Sequence, residues 1–428
     1  MDVVVSTHQL SWVGGTETYT LTVAEQLERI GHATTIFALE AGDMADVARD
    51  RGLRVVSSEE DLPDVVDVVY AQESITVLQL AARYPGVPCV MALHSKDHSL
   101  WVSPQLPGAV AALVATNEIV RRRAESFAVV PELVRLRQPV DTERFRPLGP
   151  LRRERPRVLL LGNYVSGDRR ELVFHVCAEL GYECRQVGYK ADSFTLNAES
   201  ELNEADIVVG KARVIVEAMA SGRAAYVYDH GGGDGWVTSE RYPLLEADNF
   251  GGRAEPLPVD RERLVRELAG YRPEMGPVNR DLAYVNHSAS DHATQLASLF
   301  KRLAPRSTSA ETPLRELARL VRLQWQSQAR ETMLAGEVET TRARLAELAA
   351  ENERMRVELL RTQESAQAAE RRAEVAERRA EEAERLARET WERELELRGT
   401  RRYRIASVLS APLDVARSLA RRNGAKTE

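Results

Sequence analysis

Residues 205–230 read ADIVVGKARVIVEAMASGRAAYVYDH. ADIVVG is a β-rich run that ends on Gly210. Lys211 and Arg213 follow, then an apolar run, VIVEAMA, closed by Gly222, and then AAYVYDH, a second β-rich run. The β-rich runs carry Val, Ile and Ala almost without polar alternation. That is the pattern of strands buried on both faces, as in a parallel sheet covered by helices. The stretch between them suits a buried helix, apart from Glu217, a single carboxylate inside the apolar run.

The same texture recurs upstream. RVLLLGN and CRQVGY precede ADIVVG in a segment reaching about residue 303. DVVVS, ATTIFAL, LRVVS, VVDVVYA, PCVMALH and ALVAT alternate with helical patterns up to about residue 145. PVDTERFRPLGPLRRERPR, rich in proline and charge, separates the two series and reads as an interdomain connection. The expected fold class is therefore α/β, with two Rossmann-like doubly wound domains over residues 1–148 and 149–305. Their 428-residue chain has room for two or three domains.

From Pro313 to Arg398 the texture changes to Ala, Glu, Arg and Leu, with Gly336 as the only glycine. A seven-residue frame fits residues 313–398. One seam takes Val338, Leu345, Asn352, Leu359, Ala366, Ala373, Ala380 and Ala387. The other takes Thr341, Leu348, Met355, Thr362, Ala369, Ala376, Ala383 and Thr390. The reading is a long coiled coil, a rod of roughly 110 Å for about 75 residues. Asn352 at a core position favours a two-stranded, in-register homodimer. The alternative is a solitary helix held by Glu–Arg pairs three or four residues apart. Residues 399–428 form a basic amphipathic tail. Ile405, Val408, Leu409, Leu413, Val415 and Leu419 interleave with Arg401, Arg402, Arg404, Arg421 and Arg422. Such a segment can lie on an anionic membrane surface, or pack on the rod or another subunit.

Bulk properties exclude several classes. The net charge of −7 leaves no global basic field for nucleic acid. No stretch approaches about 18 uninterrupted apolar residues, so no membrane-spanning helix is expected. Met1 runs straight into DVVVS, so a secretory leader is not expected. Cys89, Cys177 and Cys184 form an odd, sparse set without a CxxC pair, which points to buried small hydrophobes in a reducing compartment. The expected place is the cytoplasm, with peripheral contact on the inner face of the membrane through the tail.

Several residues carry possible chemistry. Gly14 and Gly15 sit at a strand-to-helix turn, where backbone N–H groups can approach an anion; a tight turn without a ligand fits equally. Gly210 permits close approach in the second domain. Lys211 and Arg213 place positive charge where the helix dipole attracts phosphate. Glu217 lies about one and a half turns further in, where its carboxylate can accept hydrogen bonds from the paired hydroxyls of a ribose. Pairing with a neighbouring arginine is the alternative.

Four stretches, in order over about 300 residues, resemble the retaining glycosyltransferases of family four, which have the GT-B fold. GGTETYTLTVAEQLERIGHATTIFA resembles the glycine-rich loop, helix and second strand. PCVMALHS resembles the strand with a histidine near the donor sugar. RLRQPVDTERFRP resembles the end of the first domain. ADIVVGKARVIVEAMASGRAAYVYDHGGGDG resembles the nucleotide-sugar site. The resemblance implies that Glu217 binds the ribose of a nucleotide-sugar donor and that His94 is the catalytic residue beside the transferred sugar. It places Gly14 and Gly15 near the diphosphate. Asp229, Gly231, Gly232 and Gly233, in the loop DHGGGDG, border the cleft. The acceptor would be a carbohydrate or a lipid-linked glycan, as in bacterial polysaccharide synthesis.

The sequence also departs from the family. Val209 stands where the first of two glutamates eight residues apart would be. The usual arginine and lysine fall on Asn163 and about Asp168, and Arg169, Arg170, Lys211 and Arg213 are the candidates to replace them. There is no DxD motif and no metal-ligand cluster, so the expectation is a metal-independent transferase with no cofactor beyond its donor. The alternative is an inactive nucleotide-sugar binder that organises a polysaccharide assembly through the coiled coil. Deleting residues 313–398 should convert a dimer to a monomer by light scattering; an unchanged mass would sink pairing through the heptads.

Overall fold

The computed structural model describes residues 1–96, 99–162, 165–188, 194–229, 232–255, 259–303, 311–399 and 405. The chain divides into two compact units, Met1–Gln328 and the segment from Ala329 onward.

The first unit holds two α/β lobes. In lobe 1 the order is β1 (Asp2–Leu10), α1 (Gly15–Arg29), β2 (Ala33–Ala41), α2 (Asp43–Asp50), β3 (Val55–Val56), β4 (Val68–Ala71), α3 (Ser74–Arg83), β5 (Cys89–Leu93), β6 (Ala112–Ala115), α4 (Glu118–Glu125) and β7 (Glu132–Arg135). Seven parallel strands lie in the order β3-β2-β1-β4-β5-β6-β7. Successive residues of β1 feed opposite faces. Val3 and Val5 join the α1 side of the core, and Val4 joins the α3 side. This is why the run DVVVS needs no polar alternation.

Lobe 2 contains β8 (Arg157–Leu161), α5 (Asp168–Glu179), β9 (Glu183–Val187), α6 (Ala198–Asn203), β10 (Ile207–Gly210), α7 (Arg213–Ala220), β11 (Ala224–Asp229), β12 (Gly232–Trp236), α8 (Tyr242–Ala247), α9 (Arg261–Ala269), α10 (Met275–His287) and α11 (Ala289–Arg302). Its sheet order is β12-β11-β10-β8-β9, parallel except for β12. Both lobes are doubly wound, as the sequence texture indicated. The strand order reverses between β1 and β4 in lobe 1 and between β8 and β10 in lobe 2. Ligand crevices open at the carboxyl ends of strands at such points.

Gly232 and Gly233, expected in a loop, instead begin the antiparallel edge strand β12. A Cβ on Gly232 would lie 2.4 Å from the Gly252 carbonyl oxygen, so glycine allows two backbones to touch there.

The lobes are tied by α11, whose Leu296, Leu299 and Phe300 pack into the core of lobe 1. Two buried histidines lock the crossing. His287 Nδ1 donates to the Gln138 carbonyl (2.7 Å) and its Nε2 accepts from Tyr242 OH (2.9 Å). His292 Nδ1 donates to the Arg137 carbonyl (3.0 Å) and its Nε2 accepts from Tyr19 OH (2.9 Å). Burial keeps both rings neutral.

The second unit, within α12 (Glu311–Gly399), is a single helix as far as the described residues run. Its seam residues Val338, Leu345, Leu348, Met355 and Leu359 are exposed in the single chain. No described helix is long and apolar enough to cross a membrane.

Burial lowers His287 and His292 from 6.5 to about 4 each. A depressed histidine contributes stability that is present above its unfolded pKa and is lost as pH falls toward the folded value. Urea midpoints should therefore fall between about pH 6.5 and pH 4. A His287→Gln, His292→Gln variant should lose much of that slope.

Candidate functional site

The carboxyl end of the lobe 2 sheet carries the cations. Gly210 closes β10, and a Cβ there would lie 2.9 Å from the Leu161 carbonyl oxygen and 2.7 Å from Val214 Cγ1. Glycine is thus required for strand and helix to meet. Ala212 then takes a strained positive-φ conformation (φ 49°, ψ −124°), at a cost of about 1–3 kcal/mol, held by its N–H donating to the Phe250 carbonyl at 3.0 Å. This turn sends the two cations to different places. Lys211 pairs with Asp229 at the end of β11. Arg169, on the first turn of α5, donates to the Asp229 carbonyl at 3.5 Å and lies 5.9 Å from the Tyr228 ring centre. Lys211, Arg169 and Asp229 are thus one cluster. Arg170 points elsewhere, donating to Gln186 at 2.7 Å and stacking on Phe174. Asn163 and Gly231 lie outside the described residues.

Arg213 turns toward lobe 1. Its Nε donates to Glu217 Oε1 (2.7 Å), its Nη1 to the Pro139 carbonyl (3.2 Å) and its Nη2 to Thr22 Oγ1 on α1 (2.8 Å). The Glu217 side chain is almost fully buried. Burial raises its pKa, and the adjacent guanidinium opposes that shift without cancelling it. The carboxylate in the apolar helix is therefore the partner of a buried arginine. Its Oε2 makes no hydrogen bond among the described residues. Nearby Arg223, from the same motif, is 1% exposed and spends its guanidinium on the carbonyls of Ser221, Ala205 and Gly149 and on Asn203 Oδ1. It is structural.

Lobe 1 brings its own polar groups to the facing edge. His94 Nε2 is 2.8 Å from Gln72 Oε1, and its ring meets Tyr19 edge-on at 4.7 Å. Burial, then the charge of Arg213, lowers His94 to about 3, so it stays neutral. At Gly14 a Cβ would fall 2.2 Å from Glu17 Oε2. The Glu17 carboxylate, also bonded to Gln9 (3.0 Å), thus folds over the start of α1, where a phosphate was expected. Gly15 is open.

Three residues escaped the sequence reading. His8, at the end of β1, and Gln72 and Glu73, just beyond β4, flank the lobe 1 reversal point. Glu73 accepts from the His8 backbone N–H at 3.0 Å, and its other oxygen is 3.0 Å from His8 Nδ1. The available signal was a Gln–Glu pair directly after the apolar strand VVYA. Among the described residues, no group of three His, Cys, Asp or Glu is placed to hold a metal ion.

No family model matches the sequence, and no curated protein matches it. Solved structures do. The chain is similar to MurG of Acinetobacter baumannii at 14% identity, over 71% of this chain and 99% of that one, with a TM-score of 0.40. It is similar to WaaG, a glycosyltransferase involved in lipopolysaccharide biosynthesis, at 11% identity over 70% and 100%, with a TM-score of 0.45. An α-glucosyltransferase in complex with UDP-glucose and DNA aligns at 10% identity over 70% and 99%, with a TM-score of 0.48. At these levels the likenesses carry no chemistry. The two-lobed architecture rests on the strand orders above.

Arg213→Met would strand the Glu217 carboxylate and remove the bonds to Pro139 and Thr22, and should cost about 3–5 kcal/mol in urea unfolding. Glu217→Gln keeps an acceptor and should cost much less. A double-mutant cycle with a coupling energy near zero would show that the pair does not form.

Proposed function

We propose that this chain transfers a sugar from a nucleotide-sugar donor to a carbohydrate or lipid-linked acceptor. The observation that carries the reading is the Lys211–Arg169–Asp229 cluster at the lobe 2 reversal point. On lobe 1, His94 lies at the carboxyl edge of the sheet and feels the charge of Arg213. Two cations beside the starts of α5 and α7 suit the diphosphate that gains charge as the glycosidic bond breaks. Glu217 serves twice in this reading: Oε1 holds Arg213, and Oε2 accepts from a ribose hydroxyl. Closure of the lobes excludes water and favours transfer over hydrolysis. The cations supply the positive charge, so transfer should not require a divalent ion. Retention of configuration is what the family-four resemblance implies.

The exposed heptad seam supports pairing of two chains through α12. The basic tail would bring the dimer to the inner face of the membrane, where bacterial polysaccharide acceptors are assembled. Residues 400–428, apart from Ile405, lie outside the described residues.

One observation favours a second reading, an inactive nucleotide-sugar binder that organises an assembly. Val209, in place of a family glutamate, is fully buried inside β10. No carboxylate can reach the donor from that position.

Thermal shift with a panel of nucleoside diphosphates and nucleotide sugars tests the donor site. One nucleotide class should stabilise the wild type by about 2.7 kcal/mol at a hundredfold excess over its Kd. Lys211→Ala and Arg169→Ala should each weaken that binding roughly tenfold, about 1.4 kcal/mol. Indifference to every nucleotide would overturn both readings, and binding without turnover would select the second.

A further inference from the structure

We propose that the junction of the lobes holds a second binding site, for the phosphate group of a small molecule, built around Arg135 and Arg137. The site shares no lining residue with the Lys211–Arg169–Asp229 cluster, so it stands apart from the transfer reading.

Residues 135–138 read RLRQ. In an extended chain, alternate residues point to opposite sides. Leu136 buries into the lobe 1 core. Arg135, which ends β7, and Arg137 both turn to Glu246 of α8 and line a cavity of about 270 Å³ with the end of α10 and the first turns of α11. At about 30 Å³ per water, that is room for roughly nine waters. It lies just below the range of pockets that enclose drug-sized ligands, so a small anion fits better than a whole nucleotide.

Charge and unspent donors make the cavity an anion site. Glu246 is shared by the two arginines: Arg135 Nη2 donates to it at 2.5 Å, and Arg137 Nε lies 3.5 Å from it. Two guanidiniums over one carboxylate leave a positive charge. The next acid, Glu118, is 4.0 Å from Arg135 Nε and is taken by Arg121 and Arg122. Asp291 also lines the cavity, but it is exposed, where water and salt screen it. Arg135 Nε is buried without a hydrogen-bond partner, which leaves its desolvation uncompensated. The Arg137 guanidinium and the Gln295 amide make no hydrogen bond among the described residues. His287 and His292 form part of the wall, but both ring nitrogens of each are spent. Recognition therefore falls to the arginines, whose planar forks match phosphate oxygens.

The place gives the anion a consequence. Arg135 belongs to lobe 1, Glu246 to lobe 2, and α10 and α11 carry the chain back between them. A phosphate on both arginines ties the strand end, the connection and the crossing helix together, so occupancy stiffens the junction.

The test uses the full chain in a phosphate-free buffer, by calorimetry and thermal shift. The probes are inorganic phosphate, glycerol 3-phosphate and adenosine monophosphate, with potassium chloride at matched ionic strength as the control. Inorganic phosphate should bind at one site per chain and stabilise beyond the chloride control. Arg137→Gln should weaken that binding at least about tenfold, the loss of a hydrogen bond to a charged group. The variant should fold, since the Arg137 side chain makes no hydrogen bond to the protein. Asp291→Asn should tighten binding. A Lys211→Ala, Arg169→Ala variant should bind inorganic phosphate like the wild type, and in that background adenosine monophosphate should bind no better than inorganic phosphate. Tighter binding of glycerol 3-phosphate would support the site and identify a phosphorylated metabolite as its ligand; equal or weaker binding would support it with phosphate itself. Stabilisation matched by chloride, binding that survives Arg137→Gln, or tighter binding of adenosine monophosphate in the double variant would overturn the proposal. Binding lost with Lys211 and Arg169 would also overturn it and assign the anion to the donor site. Indifference to every nucleotide sugar, with phosphate still bound through Arg137, would overturn the transfer reading and leave this site standing.

Discussion

A single guanidinium holds the cleft together. Arg213 starts a lobe 2 helix, pairs with Glu217 one turn on, and reaches the connection at Pro139 and lobe 1 at Thr22. A charge this deeply buried is tolerable only when its N–H groups find acceptors. The acceptors come from three parts of the chain, so satisfying the arginine fixes the relation of the lobes. The strained turn at Ala212 is the local cost of aiming Arg213 inward while Lys211 goes to Asp229.

The rest of the junction follows the same logic with neutral groups. His287 and His292 spend both ring nitrogens, on the carbonyls of Gln138 and Arg137 and on the hydroxyls of Tyr242 and Tyr19, and Tyr19 relays lobe 1 to His292. Charge is then left at two places. Lobe 2 presents Lys211 and Arg169 about Asp229, and lobe 1 presents His8 on Glu73. Trp325, in α12, meets His8 edge-on at 4.6 Å, so the start of the long helix packs on lobe 1.

Much of the fold was legible in the residues. DVVVS, RVLLLGN, ADIVVG and AAYVYDH all became parallel strands buried on both faces, because unbroken Val and Ile runs have no other low-energy place in an α/β layer. Gly232 and Gly233 lie in a strand although three successive glycines suggest a loop, since Gly232 serves a close backbone contact with Gly252. The site was legible in part. Lys211 and Arg169 do converge. Arg170 does not, because its neighbours Gln186 and Phe174 compete for it.

The sequence by itself determined the α/β texture, the division into two winding series, the heptad run and the positions of the glycines and cations. Those features are set by local periodicity and backbone freedom, which act within a few residues. Tertiary structure alone decided what each polar group faces. The partner of Glu217 is four residues away, but that of His8 is 65 residues away at Glu73. Which oxygens are spent and which rings stay neutral depend on strand order. Strand order brings β1 beside β4, and no local pattern encodes that neighbour.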